Sequence, residues 1–182
     1  AAGILDSLKE GRPYMAKAMY CKDGKPSEDP TAENIPFLSG QKKLVLGNMS
    51  SMSPLGLEDY LAHGGYSGLL KALESMTPEE VCAEVRESGL RGRGGGGFPA
   101  GVKWESCRGS SSEKRYVLVN GDEGDPGAFM DRALMEGDPF SVIEGLTIGA
   151  YAVGSSEGII YVRHEYPLAV KRLPNAITIL EE

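Results

Sequence analysis

The sequence is poor in the residues that form disulfides or bind transition metals. It has three cysteines, Cys21, Cys82 and Cys107, and two histidines among 182 residues. The number of cysteines is odd, no CxxC occurs, and no pair has the spacing of a metal site. This pattern argues against a secreted disulfide scaffold and favours a reducing compartment, either the cytoplasm or a matrix-like one. We therefore expect structural thiols and no metal site.

The sequence also lacks an excess of positive charge and a long apolar run. Its 19 Lys and Arg residues are outnumbered by 26 Asp and Glu residues, which gives a net charge of −7. That balance argues against nucleic acid or an anionic membrane surface as a partner. The most apolar stretch, residues 142–162, is interrupted by Glu144, Glu157 and several glycines. We interpret it as a helix and a strand, with no direct membrane insertion.

Glycine, in contrast, is abundant and unevenly distributed. Of 25 glycines, six lie between Gly92 and Gly101, and such clustering indicates a special backbone site. The length allows one domain with a core and an extension. We expect residues 1–40 to form a mostly helical extension with a polar, proline-containing tether, and residues 41–182 to form an α/β domain.

The first half of this domain is predicted to be helical. Apolar positions predict helices over residues 55–63 and 67–75. A further helix starts after Thr77, because the sequence TPEE combines a capping box with proline at the first helical position. Gly89 is expected to end it.

The second half alternates between strands and helices. Short apolar runs at residues 116–119 and 159–162 predict two buried parallel strands. Helices are predicted over residues 138–153 and from Pro167 onward, with a break or kink at Pro174. This order predicts Rossmann-like βαβ units on a parallel sheet.

The predicted sheet is too small to be complete, because two strands do not make a stable α/β sheet. Either residues 42–47 (KKLVLG) supply a third strand, or the native protein continues beyond Glu182. We favour continuation and expect an incomplete sheet.

The glycine cluster matches a nucleotide-binding pattern literally, since Gly92, Gly94 and Gly97 form GxGxxG. The dinucleotide fingerprint requires a strand before the glycines, and here a helix is predicted. A backbone of this kind still brings N–H groups close to an anion. Three nearby cations, Arg91, Arg93 and Lys103, make it a predicted phosphate cradle. The alternative is a flexible linker; the apolar residues at the end of the segment (Phe98, Pro99, Val102 and Trp104) argue against it.

An acidic, glycine-rich loop, residues 120–127, follows the first predicted strand. Ligands of α/β sheets bind beyond the carboxyl ends of the strands, so a site is expected here. Its carboxylates can accept hydrogen bonds from hydroxyl or ring N–H groups. Two alternatives remain. One is a divalent metal, although Gly124 stands where an oxygen ligand is needed. The other is a solvated acidic turn.

Together, these segments go beyond generic features. Residues 90–104 (LRGRGGGGFPAGVKW) and 119–136 (VNGDEGDPGAFMDRALME) resemble the FMN- and NADH-binding 51 kDa subunit of respiratory complex I. They also resemble its relatives in NAD(P)-linked hydrogenases and formate dehydrogenases. Residues 158–170 are similar to the same family, and the resemblance covers about residues 35–182. The NGDEGDPG form and residues 35–46 look more like the hydrogenase and formate dehydrogenase branch.

The resemblance implies a set of cofactor-binding residues. On the flavin and its phosphate side it places Gly92, Arg93, Gly94, Gly95, Gly97 and Lys103. Hydrogen bonds to FMN are implied for Asn120, Asp122 and Glu123. Phe98 would stack near the nicotinamide nucleotide, and Asp125 would face NADH. Ser106 stands where some members have a second aromatic residue. No catalytic side chain is implied, because the cofactors perform the chemistry.

The resemblance also indicates what the chain does not contain. Family members continue with a second glycine-rich segment, a ubiquitin-like domain and a CxxCxxC set for a 4Fe–4S cluster. The cluster ligands are absent here, so we expect a truncated N-terminal part of the FMN/NADH-binding domain.

The implied function is that of a diaphorase-type flavoprotein component. It would pass hydride from NADH or NADPH to FMN, and then electrons to iron–sulfur subunits of a hydrogenase, formate dehydrogenase or complex I-like assembly. One alternative is an inactive fragment that serves only in assembly or docking and binds no flavin. Another is an anion-binding module without a redox role, against which the carboxylates of the acidic loop argue.

Overall fold

The computed structural model describes residues 6–7, 9–11, 21–22, 25–26 and 35–182. The chain divides into two compact units, Ala1–Leu44 and Val45–Glu182. In the first unit, strands β1 (Cys21–Lys22) and β2 (Lys25–Pro26) pair antiparallel, and helix α1 spans Pro36–Ser39. The predictions of a mostly helical extension and a polar tether fall largely outside the described residues.

No strand forms over residues 42–47, so the alternative of a third strand from this segment, which we did not favour, was wrong. The segment consists of irregular chain and turns and leads into a single 3-10 turn, Gly47–Ser50. Leu44 and Val45 are 80% and 54% exposed. A strand requires a partner and a covered face, and this short apolar run has neither.

The predicted helices of the next segment are confirmed. Helix α2 spans Leu57–Ala62, α3 spans Ser67–Ser75, and α4 spans Pro78–Glu87. Before α4, the Thr77 hydroxyl accepts a hydrogen bond from the Glu80 backbone N–H at 3.3 Å. The Glu80 carboxylate accepts one from the Thr77 N–H at 2.7 Å. This reciprocal pair is the predicted capping box.

The remaining elements alternate in type, as predicted, but include two helices that the sequence pattern did not reveal. In order they are α5 (Ala100–Arg108), β3 (Val117–Gly121), α6 (Met130–Gly137), α7 (Pro139–Val153), β4 (Gly158–Val162) and α8 (Pro167–Glu181). Helices α5 and α6 are the unpredicted ones. Helix α8 continues through Pro174, so the predicted break is wrong. Leu173 and Ala176, on either side of that proline, are buried and hold the helix against its neighbours.

Strands β3 and β4 pair in parallel, with Val117 opposite Gly158 and Gly121 opposite Val162. The connection between them contains α6 and α7, as a parallel pair requires. The described residues therefore form a mixed helix and strand fold with a small parallel sheet of two strands.

The sheet is covered on one face only, whereas buried strands were predicted. Ile160 and Val162 pack against a buried cluster of α6 and α8. On the opposite face, Leu118, Ile159 and Tyr161 are 60%, 48% and 54% exposed. The strands are apolar on both faces, but the side chains of the second face stay largely exposed.

Helix α7 contributes to the core at both of its ends. Near its N-terminus, Phe140 packs with Met52 and Tyr60. Near its C-terminus, Ala152 packs with Val81 and other residues of α3 and α4. A third cluster joins α6, α8 and β4. The helix starts at Asp138, which caps it, and stops at Gly154, as predicted.

A buried carboxylate ties α3 to α7. Glu144 accepts hydrogen bonds from the Tyr60 hydroxyl at 2.5 Å, the Tyr66 backbone N–H at 2.9 Å and the Leu69 N–H at 3.1 Å. Two of these donors lie at the N-terminus of α3, where backbone N–H groups lack helical partners. Glu144 therefore caps a helix from which it is about 75 residues away in sequence.

Candidate functional site

The glycine segment forms a closed loop. Its ends are joined by hydrogen bonds from the Gly92 N–H to the Phe98 carbonyl at 2.9 Å and from the Ala100 N–H to the Leu90 carbonyl at 2.8 Å. The Arg91 side chain donates a hydrogen bond to the carbonyl of Gly97 at 2.5 Å and so links the two ends of the loop a third time. These bonds argue against the flexible linker and leave residues 93–96 at the tip of the loop.

Glycine is required in this loop for two different reasons. Gly95 and Gly97 have φ angles of +95° and +58°, a backbone region that favours glycine. Gly94 and Gly96 have no such angle, and a Cβ placed on either would meet no atom of the described residues within 4 Å. No contact with residues that the structure describes, and no φ angle, requires glycine at these two positions. A ligand that approaches the backbone closely would require it.

Two unpaired cations come from the loop itself and from the helix that follows it. Arg93 and Lys103 are exposed, and neither forms an ion pair or a side-chain hydrogen bond with any described residue. Lys103 lies in the first turn of α5, whose N-cap residue, Pro99, has no side chain that can cap it. The N-terminus of a helix carries partial positive charge. Together these groups favour an anion.

The other predicted residue of the glycine segment is aromatic. The Phe98 side chain is 58% exposed, directly after the loop. Exposing an aromatic ring of this size costs free energy that stacking on a planar ligand would recover. Lys103 and Trp104 also line a cavity of about 260 Å³ with residues 116–118, at the start of β3. That cavity places α5 beside the strand that leads to the acidic loop.

The acidic loop begins where β3 ends. The Asp122 N–H donates to the side-chain oxygen of Asn120 at 2.9 Å, which folds the loop back on itself. The Asp122 carboxylate is exposed and lies 3.6 Å from the guanidinium of Arg163. The Asp125 side chain is exposed and has no partner among the described residues. Both carboxylates are available to a ligand.

Glu123 differs from its neighbours because its carboxylate is buried and fully engaged. It accepts hydrogen bonds from the backbone N–H groups of Met130, Asp131 and Arg132 in the first turn of α6. The Tyr166 hydroxyl donates to it as well, at 3.2 Å. Burial acts to raise the pKa of Glu123, but these hydrogen bonds outweigh it and the pKa is lowered from its usual range.

Three residues around the acidic loop were not among the predicted site residues. Arg163, directly after β4, contacts Asp122 and donates to the backbone carbonyl of Glu123 at 2.6 Å. Tyr166 contacts the Glu123 carboxylate, and the Arg132 guanidinium lies 5.4 Å from the centre of the Tyr166 ring. The one sequence signal for Arg163 is its position directly after the second strand. The carboxyl ends of neighbouring parallel strands meet at one edge of the sheet, so a residue there lies near the acidic loop.

The structure thus gathers the predicted residues into two groups. One comprises the closed glycine loop, Phe98 and Lys103; the other comprises Asn120, Asp122, Glu123 and Asp125. No hydrogen bond or ion pair between described side chains joins the two groups.

Two further features concern metals and membranes. Across residues 35–182 and the few described residues before them, no three His, Cys, Asp or Glu side chains are grouped to hold a metal ion. No helix in the described part of the chain is long and apolar enough to cross a bilayer.

The sequence has clear relatives. Residues 85–182, more than half of the chain, match the family described as the Nuo51 FMN-binding domain (Complex1_51K). The chain is 51% identical over 137 residues to the NADP-reducing hydrogenase subunit HndC of Solidesulfovibrio fructosivorans, a match that covers 75% of this chain and 28% of the relative. It is 48% identical over 121 residues to an NADH-quinone oxidoreductase subunit of Rhizobium meliloti, with 66% and 29% covered. It is 50% identical over 163 residues to the NAD-reducing hydrogenase HoxS subunit alpha of Cupriavidus necator, with 90% and 25% covered.

The fold has a solved counterpart. The crystal structure of an NAD+-reducing NiFe hydrogenase in the air-oxidized state matches with a TM-score of 0.61 and 23% sequence identity, over 98% of this chain and 28% of that one. At this identity the likeness shows the fold alone. The chain spans between 25% and 29% of the length of the three relatives described above.

Proposed function

The chain belongs to the Nuo51 FMN-binding domain family, and from this premise we propose that it is the flavin-binding part of an NAD(P)H-oxidising, diaphorase-type oxidoreductase. The complete protein would pass hydride from a nicotinamide to FMN, and electrons onward to iron–sulfur clusters of partner subunits. The relatives described above are themselves oxidoreductase subunits. Residues 41–182 would be the N-terminal part of the FMN/NADH-binding domain.

The open glycine backbone carries this proposal. Among the described residues, Gly94 and Gly96 leave free space where a side chain would otherwise stand, and Arg93 of the loop and Lys103 of the following helix have no side-chain partner. The phosphate of FMN needs a cradle of this kind, made of backbone N–H groups and cations at the start of a helix. The residues present are therefore suited to FMN. When bound, FMN supplies the chemistry of accepting a hydride and releasing single electrons.

The acidic loop would orient the rest of the ligand. Asn120 and Asp122 offer exposed oxygens to ribityl hydroxyl or ring N–H groups. Phe98 offers an exposed ring for stacking on the nicotinamide nucleotide. Asp125 would accept hydrogen bonds from the hydroxyl groups of NADH.

We further propose NAD(H) or NADP(H) as the second cofactor and iron–sulfur subunits of a hydrogenase, formate dehydrogenase or complex I-like assembly as partners. Cys82 would not hold a cluster itself. Cys82 is buried, its thiol faces the Ala152 carbonyl at 3.7 Å, and burial raises the pKa of that thiol. Cluster ligands would be supplied by other parts of the assembly.

The test is flavin retention with matched charge variants. The purified chain is mixed with FMN, freed of excess and examined by visible absorption; we expect the bands of oxidised flavin. Lys103→Ala removes one charge-assisted phosphate contact, worth about 1.5–3 kcal/mol, and should weaken FMN binding by roughly 10- to 150-fold. Lys171→Ala removes one exposed charge from α8 and should leave binding unchanged. A colourless wild type, or equal effects of both variants, would contradict the proposal and favour an assembly module.

A further inference from the structure

The Glu123 carboxylate replaces the missing cap of a helix. Its Oε1 accepts from the N–H groups of Met130 at 2.6 Å and Asp131 at 3.2 Å, and its Oε2 accepts from the Arg132 N–H at 3.2 Å. These are the groups that a helix leaves without internal partners at its start. The residue at the N-cap position, Phe129, provides no capping side chain. The start of α6 therefore depends on a residue outside the helix.

The backbone at Phe129 shows why these Glu123 contacts, which we call the Glu123 clasp, are needed. Phe129 has a φ angle of +51°, in the left-handed region that a bulky residue rarely adopts. This conformation costs free energy and persists only where surrounding contacts hold it. The Glu123 contacts immediately follow it in the chain, at residues 130–132.

Glu123 is itself held from the opposite side. Arg163 donates to its backbone carbonyl at 2.6 Å, and the Tyr166 hydroxyl donates to Oε2 at 3.2 Å. Both donors come from the segment that follows β4, so the clasp is anchored to the second strand of the sheet. Residues 124–129 thus form a closed, exposed loop, and both ends of that loop meet at Glu123.

The same contacts keep the Glu123 carboxylate away from solvent. Both oxygens are engaged by four donors, and the residue is 8% exposed. The carboxylates on either side, Asp122 and Asp125, are exposed. We propose that Glu123 is a positioning residue for the flavin site. It clasps the loop and presents Asp122 and Asp125 to the ligand, without touching the ligand itself. This inference rests on the proposed function.

The test compares loop opening with FMN affinity in folded variants. Amide hydrogen exchange of residues 124–132 is measured without ligand, and FMN affinity is measured by flavin titration. In Glu123→Ala we expect exchange at residues 130–132 to accelerate about tenfold or more and FMN affinity to fall about tenfold or more. Glu123→Gln keeps one acceptor oxygen, so both readouts should change in parallel but less.

Two control variants separate the roles. Asp122→Ala removes a proposed ligand contact, so it should weaken FMN binding while exchange at residues 130–132 stays slow. Glu113→Ala removes an exposed carboxylate outside the site and should change neither readout. If Glu123→Ala does not fold, Glu123→Gln is judged by the same two measurements.

Three outcomes would overturn the inference. Lost FMN affinity with slow exchange would make Glu123 a direct ligand contact. Rapid exchange with normal affinity would make its role purely structural. A wild type that binds no FMN would contradict the proposed function and, with it, any role of Glu123 toward flavin; the exchange data would still show whether the clasp exists.

Discussion

Replacing Gly94 with alanine should separate ligand binding from stability. A Cβ at this position meets no atom within 4 Å in the described part of the chain, and its φ angle lies outside the left-handed region. Gly→Ala at such a site restricts the unfolded chain and typically stabilises a protein by about 0.4–1 kcal/mol. For a chain of this size the melting temperature should rise by about 1–4 °C.

The same methyl group should weaken FMN binding, because it would occupy the space in which we place the ligand. We expect a loss of at least about tenfold, or about 1.4 kcal/mol. Thermal unfolding followed by circular dichroism measures the first effect, and flavin titration measures the second. The opposite signs of the two changes are the signature of a position kept as glycine for a ligand.

Gly101→Ala is the matched control. A Cβ at Gly101 would lie 2.4 Å from the Cα and 2.5 Å from the backbone nitrogen of Arg86. Backbone atoms of α4 cannot move aside cheaply, so overpacking should cost about 1–3 kcal/mol or more of stability. The reasoning is refuted if Gly94→Ala binds FMN as well as the wild type, or if it destabilises the chain as Gly101→Ala does.

Other predictions concern carboxylates and caps. Glu144→Gln should destabilise the chain by about 1–3 kcal/mol in denaturant unfolding, because it weakens a buried acceptor of three hydrogen bonds; an unchanged midpoint would contradict this. Thr77→Ala should cost about 1 kcal/mol, since it removes the capping box of α4; Ser112→Ala, in an exposed loop, serves as its control. The lowered pKa of Glu123 stabilises the folded chain above the ordinary value of 4.5, and this contribution is lost as pH falls through the lowered value. Unfolding free energy should therefore fall less steeply below pH 4.5 in Glu123→Gln than in the wild type; identical pH profiles would contradict that.

Elements whose signals lie within the element itself were predictable from sequence. Helix α4 carries its own capping box at Thr77. Helix α7 is marked at both ends, by the Asp138 cap and by Gly154 with a φ angle of +74°. The strands were located by their short apolar runs, and their parallel pairing followed from the order of elements.

Elements that depend on distant partners were not predictable. Helix α6 has no capping side chain at its N-cap residue. Its first N–H groups are bound instead by Glu123, which lies seven residues before Met130. The apolar run at residues 42–47 looked like a strand, but a strand needs a partner that a local pattern does not reveal. For the same reason, the sequence did not show that Leu118 and Ile159 would face solvent.

The candidate site was predicted in part. Its two loops were located from the glycine cluster and from the acidic sequence after β3. Arg163 was not, because it contacts residues 122–123 from about 40 positions away. The burial of Glu123 could not be predicted either. In the sequence it is an acidic residue like Asp122 and Asp125, but of the three only its carboxylate is buried and accepts hydrogen bonds from the start of a helix.

The most direct test of the central claim is a titration of the purified chain with FMN, riboflavin and inorganic phosphate in parallel. We propose that the FMN phosphate lies in the glycine loop between Arg93 and Lys103. We therefore expect FMN to bind at least about tenfold more tightly than either riboflavin or phosphate alone. Equal affinity for FMN and riboflavin would contradict the phosphate cradle, and equal affinity for FMN and phosphate would show an anion site without preference for flavin.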